Sequence, residues 1–370
     1  MAATAQPGCA IVLATSLALI EQFRKSLVPS ATPQDAQDEH NTSPLLLFKA
    51  AAESLKHTTT KLSLLSITPP FTGSAVVSLL KPLNDSILPS LVTAALLVTS
   101  NIFPESFAAE ANRIAESILI ELKLLLELVE KRAKDGKPKS GLGKDEKQAI
   151  TEATGRVWEH CDGVIKFSTD GVPGFTVRKA EQWLGLMKDA VQELQEWDPE
   201  EDVDEDIFGD VGSDEDDPST NTDKEKDQDQ VTIAAGVKDQ ALKVLSRIPQ
   251  SIHVVIKQRL AKIPTEMTSG EKNISSEHKR TLDNVIKDTR HISECIDESA
   301  EAMYMGDPEL CLKKAGEARA ITIGVIESVL SPWQLAAAES ESTEEDTFIK
   351  RALVWIQQVD TSLSSNGNSG

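Results

Sequence analysis

The chain has 370 residues, 40% of them apolar and 4% aromatic, and its 59 Asp and Glu against 38 Lys and Arg leave a net charge of −21. That length can bury at least one sizeable core, and that charge argues against nucleic acid or an anionic membrane as the main partner. The four cysteines, Cys9, Cys161, Cys295 and Cys311, are far apart and form no CxxC pair, which speaks against a disulfide framework or a zinc finger and fits a reducing compartment.

The first predicted helix covers residues 10–28, with Leu13, Leu17, Ile20, Phe23 and Leu27 on one face. The apolar run from Cys9 to Ile20 has no Lys or Arg before it and no small-residue cleavage site after it. It is also too short to span a bilayer, so it reads as a core helix. A second helix starts with Pro44 in its first turn and ends before Thr68-Pro69-Pro70. The third, from Gly73 to Ser100, is apolar on most sides, and Pro82 and Pro89 predict kinks or breaks within it. Pro104 opens the fourth, whose core stripe is Ile114, Ile118, Leu122, Leu125 and Val129. Lys131, Arg132 and Lys134 close it where cations suit the helix dipole. The run of residues 131–139 reads as a solvated helix end and loop in preference to a nuclear import signal.

The fifth helix, residues 144–166, aligns Ile150, Ala153, Val157, Cys161 and Val164. A Gly171–Gly174 turn separates it from a sixth, residues 175–197, with the stripe Ala180, Trp183, Met187, Val191 and Leu194. Then the composition changes. Residues 196–230 hold seventeen Asp and Glu against two Lys, fifteen of the chain's net −21. Val203, Ile207, Phe208 and Val211 are too few for a core, so residues 197–230 are expected to form an acidic, disordered, flexible linker.

That linker would separate an N-terminal helical bundle, 1–196, from a C-terminal helical domain, 231–361, with a disordered tail at 362–370. The second part predicts helices at 231–248, 250–263, 274–305, 307–330 and 344–360. Asp307 before Pro308 makes a helix start. The long helix from 274 aligns Leu282, Val285, Thr289, Ile292, Ile296, Ala300 and Met303. No stretch alternates like a half-buried strand. The expected fold is all-α: two antiparallel helical bundles joined by the acidic linker.

Catalytic signatures are missing: there is no GxGxxG, GxxxxGK[ST], GxSxG or HExxH. His160 and Cys161 are adjacent and point to different sides of a helix. His291 and Cys295, four apart, can share a metal, but two ligands with no third in sight favour a packed thiol beside a surface histidine. No catalytic site, cofactor or metal is therefore expected. The five tryptophans read as core or core-edge, with Trp158 and Cys161 packing the fifth helix against the sixth. Ser213 has an acid three positions on, Asp216, the pattern favoured by acid-directed kinases, and is a candidate phosphosite.

Thr154-Gly155-Arg156-Val157-Trp158-Glu159-His160-Cys161-Asp162, followed by Leu184 to Leu194 with Lys188 and Asp189, resembles the GCIP family of D-type-cyclin-interacting, Maid-like proteins. Residues 62–70, and the order of helices around an acidic segment, resemble it too. Arg156 and His160 depart from its commoner pattern. The resemblance implies two all-helical domains of the talin- or vinculin-like bundle type and no catalytic site. It also implies a regulator of cell-cycle progression or transcription, in cytoplasm and nucleus, that binds cyclin-like or helix-loop-helix proteins without contacting DNA. A structural adaptor is the alternative, and a helical metal-dependent enzyme a second one.

Overall fold

The computed structural model describes residues 7–28, 43–134, 141–198, 221–264, 274–333 and 344–358. Every regular element among them is helical. In chain order these are α1 (Pro7–Leu27), α2 (Pro44–Ile67), α3 (Gly73–Pro82), α4 (Leu88–Leu97), α5 (Glu105–Lys134) and α6 (Lys144–Glu196). They continue with α7 (Asn221–Leu245), α8 (Arg247–Gln258), α9 (Ser276–Tyr304), α10 (Pro308–Ser328) and α11 (Glu344–Gln357).

Local chemistry sets the ends. Pro44 sits in the first turn of α2, where its missing N–H costs nothing. Between Pro82 and Pro89 the backbone widens into a π-helical turn, Leu83–Ile87, which joins α3 to α4. The prolines remove donors from the ordinary ladder, and the wider turn accommodates the gap. At the end of α9, Gly306 takes φ 74. The Asp307 N–H donates to the Ala302 carbonyl at 2.8 Å and the Gly306 N–H to that of Met303, which is a Schellman closure. Asp307 then caps α10 by accepting from the Leu310 N–H at 3.0 Å.

The chain divides into two units, each described here by itself. Unit 1 comprises Met1–Phe175 and Thr265–Lys279. Within it α1 packs on α5 and α3, and α2 on α4. Its core centres on five phenylalanines. Phe107 stacks on Phe167 at 4.2 Å, and Phe48, Phe103 and Phe175 surround that pair with tilted or edge contacts. Lys279 Nζ reaches the carbonyls of Ser100 and Asn101, which ties the second segment of this unit to the first.

Unit 2 comprises Thr176–Pro264 and Arg280–Gly370. Here α11 packs on α8, and α10 on α7, α8 and α11. Ile248, Ile252, Ile292, Ile296, Ile326 and Ile349 are among its buried residues. The last helix is held at both ends. Asp346 in its first turn pairs with buried Arg259, and Arg319 donates to the carbonyls of Ile356 and Gln357 at its last turn.

The contacts put the division elsewhere than the expected domain bounds, 1–196 and 231–361. Residues 176–196 group with unit 2, and residues 265–279 with unit 1. The cause is a corner in α6. Gly171 adopts φ 59, a region open to glycine, and a Cβ at Gly174 would collide with Asp170. The helix therefore leaves unit 1 at that corner. Helix α7 starts at Asn221, inside the expected linker bounds 197–230. Residues 199–220, with Ser213, Ile207 and Phe208, lie outside the described residues, as does the expected tail at 362–370.

Candidate interaction surface

The Thr154–Asp162 stretch lies on the first half of α6, in unit 1. Thr154 is buried, and its hydroxyl donates to the Ile150 carbonyl at 2.7 Å. Val157 and Cys161 are fully buried with Ile150, Ala153 and Val164, the stripe expected from the period. Burial pushes the Cys161 thiol up to about 12. A thiol so far above neutrality is not a nucleophile.

The opposite side of the motif is polar and tied to neighbouring helices. Lys56 of α2 pairs with Asp162 at 2.6 Å. Arg156 pairs with Glu121 of α5 at 2.7 Å. Both pairs are solvent-exposed, so they fix the register of three helices more than they stabilise them. Arg156, a departure from the family pattern, thus has its own partner here. Glu159 is exposed and His160 half-buried.

Trp158 lies beside that stripe. It is 37% exposed, at the edge of the core. The stripe through Val157 and Cys161 turns residue 158 to the flank, because consecutive residues differ by about a quarter turn. The other four tryptophans each have a partner. Arg290 lies over Trp183, Arg247 over Trp355 and Lys238 over Trp197, and Trp333 Nε1 donates to the Arg259 carbonyl at 2.9 Å. Among the described residues, Trp158 has no hydrogen bond, ring contact or overlying cation. One turn before it, Gly155 has nothing within 4 Å of where a Cβ would stand. Glycine in a helix costs about 1 kcal/mol against Ala, and no packing within unit 1 asks for it at 155. The result is an open step in the backbone beside an unpartnered indole.

Lys188 and Asp189, the second half of the resemblance, are both exposed on the part of α6 that belongs to unit 2. Lys188 borders a shallow depression with Val191, Gln192, Ser246 and Pro249. The sequence treated the two motifs as one signature, and the chain assigns them to different units.

One grouping was only half visible in the sequence. His291 and Cys295 are one turn apart on α9, and Glu317 of α10 joins them. Their ligating atoms all lie within 4.8 Å of one another. Glu317 comes from a separate helix, so only tertiary packing shows it. No described helix is long and apolar enough to cross a membrane.

Comparison with known proteins agrees with the motif. The chain is 22% identical over 300 residues to an uncharacterized protein of Schizosaccharomyces pombe, covering 80% of this chain and 85% of that one. Residues 47–200 match the family model for the Grap2 and cyclin-D-interacting N-terminal domain. That match runs from the first turn of α2 through α6 and takes in the Thr154–Asp162 stretch and the corner at Gly171. Within residues 47–200, then, the chain is similar to the Grap2 and cyclin-D-interacting N-terminal domain, the family its Thr154–Asp162 motif resembles.

Proposed function

We propose that this protein is a non-enzymatic interaction module that binds a D-type cyclin or a helix-loop-helix regulator and thereby restrains cell-cycle progression or transcription, in cytoplasm and nucleus. The observation that carries the reading is Trp158: an exposed, unpartnered indole beside Gly155, inside the matched domain. Tryptophan is enriched among residues that dominate binding energy, because a large flat group is desolvated at small entropic cost. The open step at Gly155 lets a partner backbone come close. The non-enzymatic part of the reading is supported by four buried thiols, each raised above its ordinary value chiefly by burial.

The test compares the full chain with Trp158→Ala. A half-exposed tryptophan on a helix flank should cost about 1–2 kcal/mol on truncation, less than the ~3–5 of a fully buried aromatic. Affinity for a purified D-type cyclin should fall at least tenfold, with the far-ultraviolet spectrum unchanged. A pull-down from nuclear and cytoplasmic extract widens the search to helix-loop-helix regulators. Unchanged affinity in the variant removes Trp158 from the surface. Recovery of cytoskeletal proteins alone overturns the regulatory reading in favour of a structural adaptor.

A further inference from the structure

We propose that His291, Cys295 and Glu317 form a binding site for a thiophilic divalent cation, with Zn2+ the ion that suits the donor set. The three donors are an imidazole nitrogen, a thiol sulfur and a carboxylate oxygen, drawn from two packed helices. Sulfur and imidazole select Zn2+ over Mg2+ or Ca2+, which prefer all-oxygen shells. Two ligands four residues apart on one helix and a third from its neighbour is a workable layout for three protein ligands with water in the fourth position.

The distances are close to what a tetrahedral site needs. Metal–nitrogen and metal–oxygen bonds near 2.0–2.1 Å place those two atoms about 3.4 Å apart, and the sulfur about 3.6 Å from either. His291 Nε2 lies 3.8 Å from Glu317 Oε1. Closing the set thus takes shifts of about 1 Å at most, within the reach of side-chain torsions. The His291 side chain is 46% exposed, which leaves an entry path.

A neighbouring group already orients the carboxylate. Glu317 Oε2 accepts from Lys314 at 3.1 Å, and Lys314 also pairs with Glu298 at 2.7 Å. That leaves Oε1 turned to the histidine. Such outer-shell bonds hold ligating carboxylates in place at metal sites. Charge balances as well: a thiolate and a carboxylate together neutralise a divalent ion. On binding, the Cys295 S–H bond breaks, its electron pair forms the sulfur–metal bond, and the proton leaves to solvent.

The test uses the full chain, free of any histidine tag, stripped with a chelator and titrated with Co2+ while absorption is followed. One equivalent should bind per chain with a sulfur-to-cobalt charge-transfer band, and Zn2+ should displace it. The band should vanish in Cys295→Ser. Affinity should drop at least tenfold in His291→Gln and in Glu317→Gln, both at partly exposed positions where folding is checked by circular dichroism. Stoichiometric Zn2+ should raise the melting temperature of the wild type and leave that of Glu317→Gln unchanged. No charge-transfer band, a band that survives Cys295→Ser, or unchanged affinity in the two polar variants each overturns the proposal. If Cys295→Ser does not fold, the two polar variants decide alone.

Discussion

Asp346→Asn tests how unit 2 holds its last helix. Arg259 is 1% exposed, and its guanidinium donates to the Val329 carbonyl at 2.8 Å, to the Leu330 carbonyl at 2.9 Å and to the Asp346 carboxylate. The substitution keeps the shape of residue 346 and removes the one negative charge in that set. The guanidinium then stays buried with neutral acceptors only. Leaving one partner of a buried pair without its counter-charge costs about 3–5 kcal/mol. For a unit of this size each kcal/mol lowers Tm by roughly 2–4 °C, so the transition of unit 2 should fall by roughly 6–20 °C. The assay is calorimetry or guanidinium unfolding followed by near-ultraviolet circular dichroism, to which Trp333, bonded to the Arg259 carbonyl, and Trp355 on α11 contribute. Arg259→Met with Asp346→Leu should recover part of the loss, but not all, since the Val329 and Leu330 carbonyls also lose their donor. A loss below about 1 kcal/mol in Asp346→Asn, the range of an exposed ion pair, would refute the buried-pair argument.

Phe107→Ala should cost unit 1 about 3–5 kcal/mol, because Phe107 is fully buried and touches Phe103, Phe167 and Phe175; a guanidinium midpoint unchanged from wild type would remove the cluster from the core. Alkaline pH should destabilise unit 1 through Cys161. Its folded thiol is held near 12 against an ordinary 9.0, so between those values the unfolded chain has already lost a proton that the folded one keeps. Stability is therefore intact below about pH 9 and falls above it by up to about 1.4 kcal/mol per pH unit; the same slope in Cys161→Ala would show another cause. Cleavage within residues 200–220 should give two products that co-purify at moderate salt, since each lacks a segment assigned to its own unit; clean separation into two stable fragments would restore the simpler 1–196 and 231–361 division.

Much of this protein is legible in its sequence because helices depend on local information. Apolar residues every three or four positions fixed α5, α9 and the stripe Ile150, Ala153, Val157, Cys161 and Val164. Pro44, Pro308 and the Gly306-Asp307 pair marked helix ends through φ and hydrogen bonding confined to a few residues. The family motif was readable for the same reason, since it lies within one helix.

Other features came only from packing. Periodicity shows which face of a helix is apolar, but not how far its flank is covered, and on that flank Trp158 stands 37% exposed. A composition change suggested a boundary at the acidic stretch, whereas the corner at Gly171 and Gly174 sends residues 176–196 to unit 2. Glu317 lies twenty-two residues beyond Cys295 in the sequence, and no pattern links it to His291 until α9 and α10 lie together. Arg259 and Asp346 are the same case over a longer span. What depends on one turn of chain can be read from that turn, and what depends on two distant segments meeting is decided by the tertiary structure, because the free energy that selects it is shared between them.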